Sequence, residues 1–163
     1  MYGIGDLVMY GRTGVCRVAD IIRRDGQDYY TLKPLFQSCD IFAPVEGTKV
    51  FMRPIISRQE ADRLIDELPS MEAEICESHV TRELSEHYQT AIASHDCREL
   101  FRLTKSLYAK KQLSLQQKKR FGAVDERFMR WGEDLLFGEL AAALDITPED
   151  VPRYISDRLS TKA

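Results

Sequence analysis

The period of the hydropathy pattern changes once, close to Pro54, and that change divides the chain. Before it, apolar and polar residues alternate in short runs; after it, apolar residues recur every three or four positions. Alternation puts successive side chains on opposite faces of a strand, while the longer period gathers them on one face of a helix. The first run, Leu7-Val8-Met9-Tyr10, is interrupted by Gly11-Arg12-Thr13-Gly14 and resumes in Val15-Cys16-Arg17-Val18-Ala19-Asp20-Ile21, which predicts two strands joined by a glycine-bounded turn. Further runs cover residues 29–35, 40–44 and 50–54, separated by Asp25-Gly26-Gln27-Asp28, Gln37-Ser38 and Glu46-Gly47-Thr48. Five short strands in about 55 residues predict a small, strongly bent antiparallel sheet or barrel. A unit of that size is marginal alone, so it is expected to dock on the remainder.

Ser57-Arg58-Gln59-Glu60 opens the helical part as a capping box, in which the Ser57 hydroxyl and the Glu60 carboxylate would each satisfy an orphan amide donor. The boundary falls there, giving units of residues 1–56 and 57–163. The first helix is expected over Arg58–Glu67, stopped by Pro69, with Ala61, Leu64, Ile65 and Leu68 on its apolar stripe. A second covers residues 80–93. Asp96 with Glu99 then opens a helix from 97 to about 111, with Leu100, Leu103, Leu107 and Tyr108 toward the core. Its Arg98, Arg102, Lys105 and Lys110 are left for solvent or a partner. Ser114 with Gln117 starts a long helix reaching about residue 144, carrying Phe121, Val124, Phe128, Trp131 and Leu135 at helical spacing. Thr147-Pro148-Glu149-Asp150 opens a short closing helix ending near 159. The expected class is α+β, a five-stranded bent sheet followed by an all-helical domain of four to five helices.

Charge is unevenly distributed along the chain. Residues 98–130 hold 10 Lys+Arg against 3 Asp+Glu, whereas residues 57–97 hold 3 against 10. The formal net charge of -3 conceals this basic island. Such an island suits phosphate backbones or an acidic protein surface, and it equally suits ion pairs with the acidic segment before it.

The four cysteines lack CxxC spacing and scaffold density, which fits free thiols in a reducing compartment. Cys76, His79, His95 and Cys97 match no zinc framework, so no metal or other cofactor is expected. No nucleophile–base pair stands out, and Gly11 to Gly14 is too short to cradle a phosphate, so an enzyme ranks last. No apolar run approaches the ~20 residues of a membrane span, and Met1 to Met9 lacks the features of a signal peptide; a cytoplasmic protein is expected.

Several stretches, in their order and spacing, carry a family resemblance. Gly5-Asp6-Leu7-Val8-Met9-Tyr10 followed by Gly14-Val15, Tyr30-Thr31-Leu32-Lys33 and Ile41-Phe42-Ala43-Pro44 make up its N-terminal half. Asp125-Glu126-Arg127-Phe128-Met129 and Asp134-Leu135-Leu136-Phe137-Gly138-Glu139-Leu140 make up the other. On these residues the chain resembles the CarD/CdnL family of bacterial RNA-polymerase-binding transcription regulators.

The resemblance implies a Tudor-like N-terminal module that binds the polymerase β subunit, and a helical domain that reaches promoter DNA at the upstream edge of the melted bubble. The polymerase-facing edge would comprise Arg24 with Ile41, Phe42, Ala43 and Pro44, joining a sheet of the partner by backbone pairing. Phe42 stands where some members carry Arg. Ile41 and Ala43 would face the core and Phe42 the solvent. The position of the family's DNA-wedging Trp is Leu84 here, with Glu86, His87 and Gln89 in place of basic neighbours. Leu can wedge, but Val80, Leu84 and Tyr88 also form a stripe suited to core packing. Trp131, the one Trp, reads as a core residue beside Phe128 and Leu135. DNA contact then falls to Lys118, Lys119, Arg120, Arg127 and Arg130, as weak, sequence-independent phosphate binding. The expected protein is a monomeric regulator of open-complex stability. The alternative is a polymerase-tethered adaptor whose helical domain engages another protein.

Overall fold

The computed structural model describes residues 1–47 and 49–161, so Thr48 of the expected separator lies outside the described residues. Strands β1 (Leu7–Tyr10), β2 (Gly14–Arg24), β3 (Gln27–Pro34), β4 (Ile41–Pro44) and β5 (Met52–Pro54) form one antiparallel sheet in the order β4-β3-β2-β1-β5. β2 and β3 run longer toward their shared turn than alternation suggested. Asp25 and Gly26 both take positive φ (52° and 78°), the two-residue turn whose twist matches that of the flanking strands. A register shift between Val18 and Asp20 bends the long β2–β3 ribbon. Gly11 is required twice over: its φ is +46°, and a Cβ there would lie 2.6 Å from Val50 Cγ1.

Each face of the sheet has its own core. Val8, Cys16, Val18, Tyr30, Leu32 and Ala43 close one face on itself. Met9 and Val15, one residue out of phase, point the other way and join the helical core. The strand module therefore docks, as its size requires.

The helices are α1 (Arg58–Glu67), α2 (Thr81–Ala93), α3 (Cys97–Gln116), α4 (Ala123–Leu144) and α5 (Val151–Thr161), with 3-10 turns at Leu68–Ser70 and Pro148–Asp150. The Ser57 hydroxyl accepts from the Glu60 amide at 3.1 Å, while the Glu60 carboxylate turns to Arg63 at 2.5 Å, so only half of the expected capping box forms. Asp96 caps α3 through the amide of Arg98.

The α3–α4 junction departs from expectation. Ser114 starts no helix: α3 runs through it to Gln116 and ends in a Schellman turn. Lys119 N donates to Ser114 O at 2.8 Å, Lys118 N donates to Leu115 O at 3.2 Å, and Lys118 takes the left-handed φ of 55°. Glycine usually marks that position, and none does here. Lys118, Lys119 and Arg120 consequently lie on a turn instead of a helix. Tyr108, expected in the core, is 57% exposed. Core packing of α3 on α4 comes from Leu100, Phe101, Leu103 and Leu107 against Phe128, Leu136 and Leu140. Gly132 lets the helices approach, since a Cβ there would meet Leu103 Cδ2 at 3.3 Å.

Among the described residues no helix is long and apolar enough to cross a membrane.

Candidate functional site

The two edges of the sheet differ. β5 runs into the helical domain, where Arg53 and the backbone of Ile56 are held by Glu139. β4 pairs with β3 along one side, Ile41 opposite Leu32 through to Pro44 opposite Tyr29, and ends the sheet on its other side. Alternation is visible along it: Ala43 is fully buried, Ile41 is half-buried, and Phe42 is 52% exposed. The Arg24 guanidinium, at the end of β2, lies 5.9 Å from the centre of the Phe42 ring. Residues 18 positions apart thus form one exposed cation–aromatic pair on a free strand edge. A free edge presents unpaired backbone donors and acceptors, the chemistry of strand addition.

The basic island is largely consumed within the fold. Lys105 Nζ donates to the carbonyls of Leu68 and Met71 at 2.6 Å each, closing the turn after α1. Lys110 Nζ donates to Cys76 O at 2.8 Å and pairs with Asp125 at 3.0 Å, and Asp125 also accepts from the Tyr88 hydroxyl. Arg98 binds Glu67, and Arg102 lies 3.5 Å from Glu99. Arg98, Arg102, Lys105 and Lys110 are therefore tied to the fold, contrary to the expectation that they stand available. Arg130 and Lys111 lie at 3.7 and 3.9 Å from Glu126, distances that cost little to break at an exposed site. Lys118, Lys119, Arg120 and Arg127 are exposed and make no ion pair among the described residues. Arg127 lies instead over the Phe128 ring at 4.9 Å.

Leu84 and Tyr88 are 8% and 2% exposed and sit in the helical core, whereas Val80, the third member of that stripe, is exposed. Trp131 is half-buried, stacked on Phe128 at 5.7 Å with Arg12 over its ring at 5.1 Å.

Residues 2–56 match the CarD-like/TRCF RID domain family. Over that stretch, about a third of its length, the chain is similar to a CarD-like RID domain. No curated protein matches the chain. RID domains of this family interact with the RNA polymerase β subunit, and that supports polymerase binding here. The match includes Arg24 and the whole of β4, and it ends at residue 56, one position before the cap of α1.

What joins the sheet to the helices is not apparent from the sequence. Arg53 on β5 makes a two-pronged pair with Glu139 on α4, Nη1 to Oε2 at 2.6 Å and Nη2 to Oε1 at 2.8 Å. The Glu139 side chain is fully buried. Its Oε2 also accepts from Ile56 N at 3.0 Å, and Arg53 Nε donates to His95 O at 2.6 Å. His95 presents that carbonyl from a left-handed conformation between α2 and α3, while its ring stacks on Phe51 at 4.2 Å. Cys97 lies against this clamp, and burial pushes its thiol well above the usual range, with the Glu139 carboxylate adding to the effect. The only signal in the sequence was a charged residue amid the apolar run of α4.

Proposed function

We propose that the protein is a transcription regulator that docks on the RNA polymerase β subunit through β4 and modulates the promoter open complex, with a weak, sequence-independent DNA contact made by the turn between α3 and α4. The observation that carries the docking site is the β4 edge of the sheet, with Phe42 exposed and the Arg24 guanidinium over its ring at 5.9 Å, inside the span that matches the RID family. Backbone pairing along Ile41 to Ala43 would supply affinity, and the Arg24–Phe42 pair would supply selectivity beside it. Pro44 lacks an amide proton and so limits the pairing to the residues before it.

For DNA, the support is the set of exposed cations Lys118, Lys119, Arg120 and Arg127, which make no ion pair among the described residues, with Arg130 only loosely held. Contacts of this kind are made to phosphates and carry no sequence information. Leu84, packed in the core, serves the fold in this reading and opens no base step.

A second reading, an adaptor that binds another protein, draws support from Tyr108 and Leu115. These side chains are two turns apart on α3 and 57% and 62% exposed.

The test uses full-length protein, because the RID domain shares its core with the helices. Phe42→Asp should abolish capture by a purified β fragment while leaving thermal unfolding unchanged; undiminished capture would remove β4 from the interface. Reversing Lys118, Lys119 and Arg120 together should shorten the lifetime of the polymerase–promoter complex. An unchanged lifetime would favour the adaptor.

A further inference from the structure

Two hollows adjoin at Trp131. One, of about 660 Å³, is lined by Arg120, Arg127 and Arg130. The other, of about 1030 Å³, lies between the domains and is lined by Arg12 of the β1–β2 turn together with Phe36 and Pro148. Trp131 and Asp134 belong to both. Four rings and forks form a ladder across this junction: Arg12 over Trp131 at 5.1 Å, Trp131 on Phe128 at 5.7 Å, and Arg127 over Phe128 at 4.9 Å.

From this ladder, and resting on the DNA-contact reading above, we infer that the phosphate-binding surface crosses the domain boundary, with Arg12 of the RID domain extending the track of Arg120, Arg127 and Arg130. A guanidinium held over an aromatic ring still has N–H donors to offer, in the fork that matches phosphate oxygens. Arg12 and Arg127 are exposed, are ordered by rings, and make no ion pair among the described residues. From Ala123 to Trp131 the axis of α4 rises about 12 Å, the span of three to four successive phosphates of one strand. Three carboxylates, Glu126, Asp134 and Glu149, share these hollows with the four arginines. Glu126 lies 3.7 Å from Arg130 and 3.9 Å from Lys111, exposed Asp134 stands where the hollows meet, and exposed Glu149 lines the hollow of Arg12. Four guanidiniums against three carboxylates leave this open surface positive on balance, which fits a duplex backbone.

The experiment measures duplex binding by the full-length protein at low salt, with a labelled duplex and with the emission of Trp131, the only Trp in the chain. Duplex should change that emission saturably, and salt should reverse the change. Arg12→Gln and Arg127→Gln should each weaken binding several-fold and lower the slope of log K against log salt by about one. Asp134→Asn should strengthen binding several-fold, a gain that a damaged fold would not mimic. If reversal of Lys118, Lys119 and Arg120 weakens binding while Arg12→Gln and Asp134→Asn leave it unchanged, the track stops within the helical domain and the inference is overturned, with the DNA reading intact. If no variant alters binding, the DNA reading falls too. If poly-glutamate perturbs Trp131 at lower concentration than duplex at equal salt, the surface is one for acidic protein and the inference is likewise overturned.

Discussion

Glu139 illustrates how much one side chain can depend on a partner distant in sequence. Its carboxylate is completely buried and is satisfied by Arg53 and by the amide of Ile56. Replacing it with Ala would strand a guanidinium in the interface, so Glu139→Ala should cost about 3 to 5 kcal/mol in urea unfolding. The double variant Arg53→Met, Glu139→Leu should lose far less, because it leaves no unpaired charge behind. Lys118 is the opposite case, a residue whose backbone the fold strains. Lys118→Gly should raise stability by about 1 kcal/mol, read as a higher urea midpoint, since glycine enters the left-handed region freely. Neither residue was legible for what it does. Ser57 and Asp96 were, because a cap is a local pattern of an oxygen and an amide two or three residues on. Arg53 and Glu139 are 86 positions apart, and nothing in either neighbourhood points to the other.

At the scale of elements, periodicity located all five strands and five helices, and it failed where an end lacks its usual residue. α3 and α4 were misdivided because a lysine occupies the place of a C-terminal glycine, and an apparent Ser114 cap lay within the preceding helix. Charge misled for a related reason: basic side chains on α3 are spaced like a solvent face, yet Lys105 and Lys110 reach back to carbonyls of the segment between α1 and α2. The elements also bury protonated groups. Burial holds the Cys16 thiol up, to about 11, and raises Cys97 well above its usual value; burial and then the Asp125 hydrogen bond raise the Tyr88 hydroxyl. In each case the folded state prefers the protonated form. The associated stability is complete below the ordinary thiol value near 9 and is lost as pH rises from there through about 11. Urea midpoints should therefore fall between pH 9 and 11, and Cys16→Ala should make that fall shallower.

For the whole molecule, the division at residue 56 is one of pattern and not of packing. Met9 and Val15 from the sheet belong to the same core as the helices. Unfolding should accordingly be a single transition, with far-UV circular dichroism and Trp131 emission coincident in urea; two separated transitions would show that the sheet melts alone. The Arg53–Glu139 clamp has a further consequence for how two weak contacts combine. Partners joined by a flexible linker meet at an effective concentration set by the linker's wandering, whereas a stiff joint delivers the second surface at one distance and one orientation. Loosening the joint by Glu139→Ala would leave β4 and the cations between α3 and α4, the two surfaces of the proposed function, in place. If the protein works as proposed, the polymerase–promoter complex would nonetheless lose lifetime, and a genetic screen would score as a DNA-contact defect a residue that meets no nucleic acid.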